Sequence, residues 1–228
     1  SGDIVLAAPG EDIIASEQPV KHPLSYLQEM EMLEFVGSIN EVSYTQGILK
    51  ENEEIGGIII KGVDSTYSMD FYAGHLVGGR LPVFSGKRAS NEIIISRTLA
   101  KAMQYSVGDN ATAYFAGEQT RVRRYDIVGI FDAQLQDFDK FLAIADIRQV
   151  TRLNGWKDEV SGYEIMMAGN GSPSEKDMAA IDELIHKHTT EEDSPVAPTT
   201  LAQKYYIFYD WLTLLDLNVL IILIILIP

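Results

Sequence analysis

Asp132, Asp137 and Asp139 fall within the stretch Phe-Asp-Ala-Gln-Leu-Gln-Asp-Phe-Asp. Carboxylates this close together can hold a calcium ion or divide the work of a general acid and a general base. The spacing is not that of a calcium loop and the turn glycine is absent, so a solvated acidic loop is the simpler reading. The histidines offer no better centre. His186 and His188 stand two apart in a helical pattern and do not share a face, and His22 and His75 have no Glu or Cys at ligand spacing. No Gly-x-Ser-x-Gly elbow, no phosphate loop ending in Lys-Ser or Lys-Thr and no Ser-x-x-Lys occurs. Arg121-Val122-Arg123-Arg124 is the one basic cluster; beside Asp and Glu it reads as a solvated strand end. The expectation is a chain with no catalytic residues, no metal and no cofactor of its own.

Composition narrows the class further. The 228 residues are 46% hydrophobic, enough for a real core in one large domain or two small ones. Lys and Arg number 18 against 33 Asp and Glu, a net charge of −15. That balance argues against nucleic acid, whose phosphates need clustered cations, and against a domain lying flat on anionic lipid. The absence of cysteine excludes disulfide and thiol chemistry and fits a bacterial extracytoplasmic domain.

Near the C-terminus the chemistry changes. Residues 219 to 227 carry no polar side chain. The run is too short to cross a bilayer, which takes about 20 apolar residues. It is also too uniform for a surface helix, which would show a polar face. Tyr205, Tyr206, Phe208, Tyr209 and Trp211 precede it, and such side chains gather where headgroups meet hydrocarbon. Residues 203–228 are therefore expected to be a membrane-proximal segment and the first turns of a transmembrane helix.

The elements that would carry these residues follow from periodicity and punctuation. Asp3 to Ala8 reads as a strand. Pro23 suits a helix start, with Leu24, Leu27, Met30 and Phe35 at helical spacing. Val42 to Ile48 reads as a strand, Glu51 to Glu54 as a turn, and Ile58 to Val63 as a strand buried on both faces. Gly56-Gly57 and Gly78-Gly79 read as turns. Ile93 to Ile95 is a buried strand followed by a helix capped by Ser96. Ala111 to Phe115, Arg121 to Phe131, Phe141 to Ile144 and Gly162 to Met167 read as strands. Ser174 to Asp177 resembles a capping box opening a helix with Met178, Ile181, Leu184, Ile185 and His188 on one stripe. Pro195 to Thr200 is extended. The expected fold class is α+β: two βαβ units forming one split βαβ sheet, with a β-rich insertion between them. The corresponding boundaries are 1–63 and 161–202 for the two outer parts, 64–160 for the insertion and 203–228 for the membrane segment.

Certain phrases, taken in order, carry a resemblance. They are Lys61-Gly62-Val63-Asp64, Gly79-Arg80-Leu81-Pro82, Asn91-Glu92-Ile93-Ile94-Ile95-Ser96-Arg97-Thr98-Leu99-Ala100, Val107-Gly108-Asp109, Tyr125-Asp126-Ile127-Val128-Gly129-Ile130-Phe131 and Val160-Ser161-Gly162-Tyr163-Glu164-Ile165. The chain resembles the extracytoplasmic domain of FtsX/MacB-type ABC transporter permeases, most of all the lipoprotein-releasing LolC/LolE branch. The resemblance implies a porter-like part of two βαβ units and an inserted sabre-like part, on the periplasmic side of the bacterial inner membrane between two membrane helices. It implies a cytoplasmic ATPase subunit that binds the ATP, a second permease subunit, and a periplasmic lipoprotein carrier or another envelope protein as partner. In that branch a hook-like hairpin before the strand matching Gly162 to Met167 recruits the carrier. Here the position is Asn154-Gly155-Trp156-Lys157: Asn-Gly favours a tight turn and Trp is an interface anchor, but the loop is short and its tip lacks proline. Trp156 alternatively covers a sheet edge.

Overall fold

The computed structural model describes residues 4–10, 13–14, 18–51, 54–116, 120–133, 140–169, 171–189 and 194–200. In chain order the elements are β1 (Ile4–Ala7), β2 (Val20–Lys21), α1 (Leu27–Glu31), β3 (Val36–Glu51), β4 (Glu54–Val63), α2 (Asp70–Gly74), β5 (Leu76–Gly79) and β6 (Glu92–Ser96). They continue with α3 (Arg97–Ala102), β7 (Asn110–Phe115), β8 (Arg121–Phe131), β9 (Leu142–Asp146), α4 (Ile147–Asn154), β10 (Glu159–Val160), β11 (Gly162–Met167), α5 (Glu175–His188) and β12 (Ala197–Thr200).

The two ends of the chain interleave. β1 lies between β12 and β11, antiparallel to both, and β11 lies between β1 and β3. β1 and β3 therefore run parallel with β11 between them, and β11 and β12 run parallel with β1 between them. Each parallel pair is joined by a crossover carrying a helix, which is the expected split βαβ sheet. Side-chain alternation gives the sheet two apolar faces. Ile4, Leu6, Tyr163 and Ile165 meet Met30 of α1 and Ile181, Leu184 and Ile185 of α5, while Val5, Ala7 and Val42 face the other way. The α5 start is the capping box read from Ser174 and Asp177.

β3 does not stop where this sheet does. Its first part pairs with β11 as far as Val42; from Ser43 to Glu51 it pairs with β4. β4 runs parallel to β9, β9 antiparallel to β6, and β6 parallel to β8. β7 pairs with β8 and returns to β3 at Ile48 and Leu49. The circuit closes six strands into a barrel. Leu49, Ile58, Ile60, Ile93, Ile95, Phe115, Tyr125 and Ile127 fill it, and Ala111, Ala113, Ala143 and Ala145 leave them room. β6 and β9 are antiparallel, so the helices that follow them, α3 and α4, lie at opposite ends. Leu99 and Met103 cover one end, Val150 and Leu153 the other. The outer face of β4, β9 and β6 is apolar too, with Ile59, Ile94, Leu142 and Ile144 packed on Tyr72, Phe84 and the bare face of the split sheet. This is why Ile58 to Ile60 and Ile93 to Ile95 are continuous β-branched runs.

Local expectations fail in four places. The first helix is only Leu27–Glu31, because Tyr26 at its N-cap offers no side-chain acceptor and the chain enters β3 at Val36; Pro23 precedes that cap rather than opening the helix. Gly56-Gly57 lies inside β4 and Gly78-Gly79 inside β5, so neither is a turn. What these positions need is room: a Cβ on Gly56 would stand 2.7 Å from the Met103 sulfur, and one on Gly79 2.1 Å from the Val128 carbonyl oxygen. Residues 147–154 are helical, with Ile147, Val150 and Leu153 buried and Asp146 accepting from the Arg148 N–H as N-cap. Asn154-Gly155 consequently ends a helix, with Gly155 left-handed at φ 78°, and does not turn a hairpin.

Barrel closure makes its inner positions intolerant of cavities. Ile60→Ala is expected to cost about 3 kcal/mol in urea unfolding, against less than about 0.5 kcal/mol for Ile48→Ala on the outer face.

Candidate functional site

At the point where β3 changes partner, four polar side chains meet in the interior. Lys61 of β4 and Glu164 of β11 form an ion pair, Nζ to Oε2, of 2.7 Å, with side chains 8% and 4% exposed. Tyr44 of β3 donates its hydroxyl to Glu164 Oε1 at 3.0 Å. Tyr67 accepts from Lys61 Nζ at 2.7 Å, donates to Glu164 Oε2 at 3.0 Å, and lies with its ring under the ammonium. Burial, and then the Glu164 carboxylate, hold the Tyr44 phenol well above its ordinary range, so it stays a donor. The cluster joins three strands and the segment after β4. Each charge is met by the other and by phenols, an arrangement that satisfies buried ions rather than presenting a proton acceptor to a substrate.

The same crossing leaves the Tyr44 backbone without a strand neighbour on the β11 side. Its N–H donates to the Ser161 hydroxyl at 2.9 Å, and its carbonyl accepts from Asn154 Nδ2 at 2.9 Å. Two of these residues stand out along the chain: Lys61 directly follows Ile58-Ile59-Ile60 and Glu164 stands between Tyr163 and Ile165, each a charge set in an apolar run. Only their meeting was illegible.

Asn154, Gly155, Trp156 and Lys157 lie together as the end of α4 and its exit. The Trp156 N–H donates to the Thr151 carbonyl at 2.9 Å, and Arg121 donates to the Leu153 carbonyl. β10 then pairs with β2, and the His22 N–H donates to the Asp158 carbonyl at 2.9 Å. The segment is thus anchored at both sides, with Trp156 half-buried and Lys157 exposed. Asp137, Asp139, Tyr205, Tyr206, Phe208, Tyr209, Trp211 and all of 203–228 lie outside the described residues. Asp132 pairs with Arg97 at 2.7 Å. His22 lies 2.9 Å from Glu41, and His188 2.9 Å from Glu29. Among the described residues no group of three His, Cys, Asp or Glu could hold a metal ion, and no helix is long and apolar enough to cross a membrane.

Two clefts flank the end of α3. One, of about 770 Å³, is lined by Glu51, Glu54, Asp109, Asn110 and Arg124; the other, of about 440 Å³, follows β5. They share Gln104 and Tyr105. Gln104 ends α3 in the left-handed conformation, φ 57°, a position glycine usually fills, and its amide donates to Glu54 at 3.1 Å. Burial and the neighbouring Glu51 carboxylate push the Tyr105 phenol up to about 12.

No family model matches the chain, and no curated protein matches it in sequence. Solved structures do match in fold. The periplasmic region of MacB from Actinobacillus actinomycetemcomitans superposes with a TM-score of 0.60 at 12% identity, over 92% of this chain and 93% of that one. The extracellular domain of the noncanonic ABC-type transporter YknZ from Gram-positive bacteria gives 0.53 at 17% identity, over 87% of this chain and 98% of that one. The α+β architecture described above is the one these extracytoplasmic domains share.

Lys61→Met alone is expected to destabilise the fold by about 3–5 kcal/mol, since it leaves Glu164 buried and uncompensated. The double variant Lys61→Met/Glu164→Leu should recover at least half of that loss, the Tyr44 and Tyr67 hydroxyls being left short of an acceptor; urea unfolding of the three proteins checks it. Asn154→Ala should cost about 1–3 kcal/mol by stripping the Tyr44 carbonyl of its donor, whatever else the 154–157 segment does.

Proposed function

We propose that this chain is the extracytoplasmic domain of an ABC transporter permease, in which a separate cytoplasmic subunit hydrolyses ATP and this domain delivers the resulting motion outside the membrane. The observation that carries the reading is a fold shared with two such domains over 87% and 92% of this chain and 98% and 93% of theirs. On this reading the chain performs no catalytic step and binds no cofactor. Its polar interior fits that role, because Lys61 and Glu164 are spent on each other. A second permease subunit completes the transporter, and the segment 203–228 leads into the bacterial inner membrane.

Within that class we infer release of lipid-anchored proteins as the work done. The ordered phrases from Lys61-Gly62-Val63-Asp64 to Gly162-Tyr163-Glu164-Ile165, and the aromatic and apolar run after residue 203, support this branch. Trp156 and Lys157, held at the anchored end of α4, are the residues proposed to meet a periplasmic lipoprotein carrier. A half-buried Trp on a fixed backbone loses little entropy on docking, which favours an interface anchor.

The test is photocrosslinking in cells, with a photoreactive residue at Trp156 of the full-length permease. A soluble lipoprotein carrier in the adduct is the expected result. A cell-wall hydrolase or an envelope-spanning adaptor in its place would move the work to signalling or efflux and leave the permease reading standing. Failure of any ATPase subunit to copurify with the full-length protein would remove the permease reading itself.

A further inference from the structure

The larger cleft beside α3 has a wall whose charges nothing in the protein answers. At about 770 Å³ it falls in the size range of small-molecule sites. Glu51 ends β3, Glu54 opens β4 and Asp109 precedes β7, so three segments each bring a carboxylate to it. Glu54 accepts from the Gln104 amide at 3.1 Å and Asp109 from the Ser106 N–H at 2.7 Å, both neutral donors. Among the described residues no cation pairs with any of the three. Arg124, the single cation of that wall, donates to the Asn110 side-chain oxygen instead. Three carboxylates against one guanidinium leave the wall negative.

A second unmet group lies in the same wall. Tyr105 is 7% exposed, and its hydroxyl makes no hydrogen bond among the described residues. Buried polar groups are nearly always paired, so an orphaned hydroxyl needs an explanation. Burial raises this phenol, and the Glu51 and Asp109 carboxylates add to the effect. Both of those residues line the larger cleft and neither lines the smaller one, so the hydroxyl is directed to the larger. An occupant has to bring positive charge and hydrogen-bond donors. A single metal ion does not fit, because among the described residues no three His, Cys, Asp or Glu could hold one. Carboxylates set apart along a wall suit donors set apart along a chain.

We propose that this cleft binds a linear polyamine, whose ammonium groups meet Glu51, Glu54 and Asp109, with one of them donating to the Tyr105 hydroxyl, and whose methylene chain runs over Met103. Hydrogen bonds from an ammonium to a carboxylate are charge-assisted and stronger than those the Gln104 and Ser106 groups supply. A lysine side chain would bring one ammonium to three carboxylates and leave the others unmet; a polyamine brings two or three. Arg124 repels ammonium and so confines the charged groups of the ligand to the carboxylates. Gln104, held in the left-handed conformation by the end of α3, keeps its amide on Glu54 and fixes that side of the cleft. The proposal does not depend on the permease reading, because neither ATP nor a membrane enters it.

The test is titration calorimetry of the full 228-residue chain with spermidine, putrescine and butylamine at about 0.15 M salt, where diffuse charge attraction is screened. The expected result is one spermidine per chain with Kd below about 1 mM, putrescine weaker and butylamine weaker again. Glu51→Gln should weaken spermidine binding about tenfold, while Glu183→Gln, which removes the same charge from the exposed face of α5, leaves it unchanged. Tyr105→Phe should weaken binding several-fold and yet leave the urea midpoint of the ligand-free protein unchanged or raised, because its hydroxyl has no partner to lose. A lowered midpoint would show that the protein already holds the hydroxyl, and would overturn the proposal. So would the absence of saturable binding, equal losses from Glu51→Gln and Glu183→Gln, or displacement of spermidine by magnesium as effectively as by putrescine.

Discussion

At residue 43 a single long strand leaves one partner and takes another, and the molecule is organised around that exchange. β11 accompanies one edge of β3 only as far as Val42, while β4 takes up the other edge from Ser43, so the buried backbone of Tyr44 faces no strand on the β11 edge. Ser161 and Asn154 supply the missing donor and acceptor partners. Across the same seam Lys61 and Glu164 bind strands on either side of β3. Removing two charges from water costs several kcal/mol each, and their attraction offsets this only with good geometry and further hydrogen bonds. Tyr44 and Tyr67 provide those bonds. The pair therefore adds little net stability compared with apolar residues, but it penalises any arrangement in which β4 and β11 part.

That penalty stiffens the join between the split sheet and the barrel. A strand continuous from the split sheet into the barrel has no linker at which the two could move independently, and the seam residues resist shear between them. The barrel ends are closed by α3 and α4, and its outer face on one side is packed against the split sheet. β1 and β12 pair side by side in the split sheet and are joined to the barrel through packed structure. Such a body presents fixed surfaces, among them the anchored exit of α4.

Much of the fold was legible along the chain. Ser96 and Ser174 announced their helices because a cap needs only an oxygen within reach of the next few N–H groups. The runs Ile58 to Val63 and Ile93 to Ile95 announced strands buried on both faces, and the order of elements announced the split sheet. The helix α4 was marked by Ile147, Val150 and Leu153 at helical spacing behind Asp146, a local signal overshadowed by Asn154-Gly155, which looks like a hairpin turn. Paired glycines misled for a similar reason: a turn and a close approach ask for the same residue. Tyr44, Lys61, Tyr67 and Glu164 each looked like an isolated polar exception.

By itself, then, the sequence determined what depends on near neighbours: caps, strand alternation, burial on one face or two, acidic surface, and the apolar character of the C-terminal run. Tertiary structure alone decided the closure of six strands into a barrel, the exchange of partners in β3 and the pairing of Lys61 with Glu164 across 103 residues of chain. The physical reason is one of range. A cap or an amphipathic face is set by groups a few residues apart, whereas register and ion pairing at the seam are won in competition with every other strand and charge in the molecule, and that competition leaves no local mark.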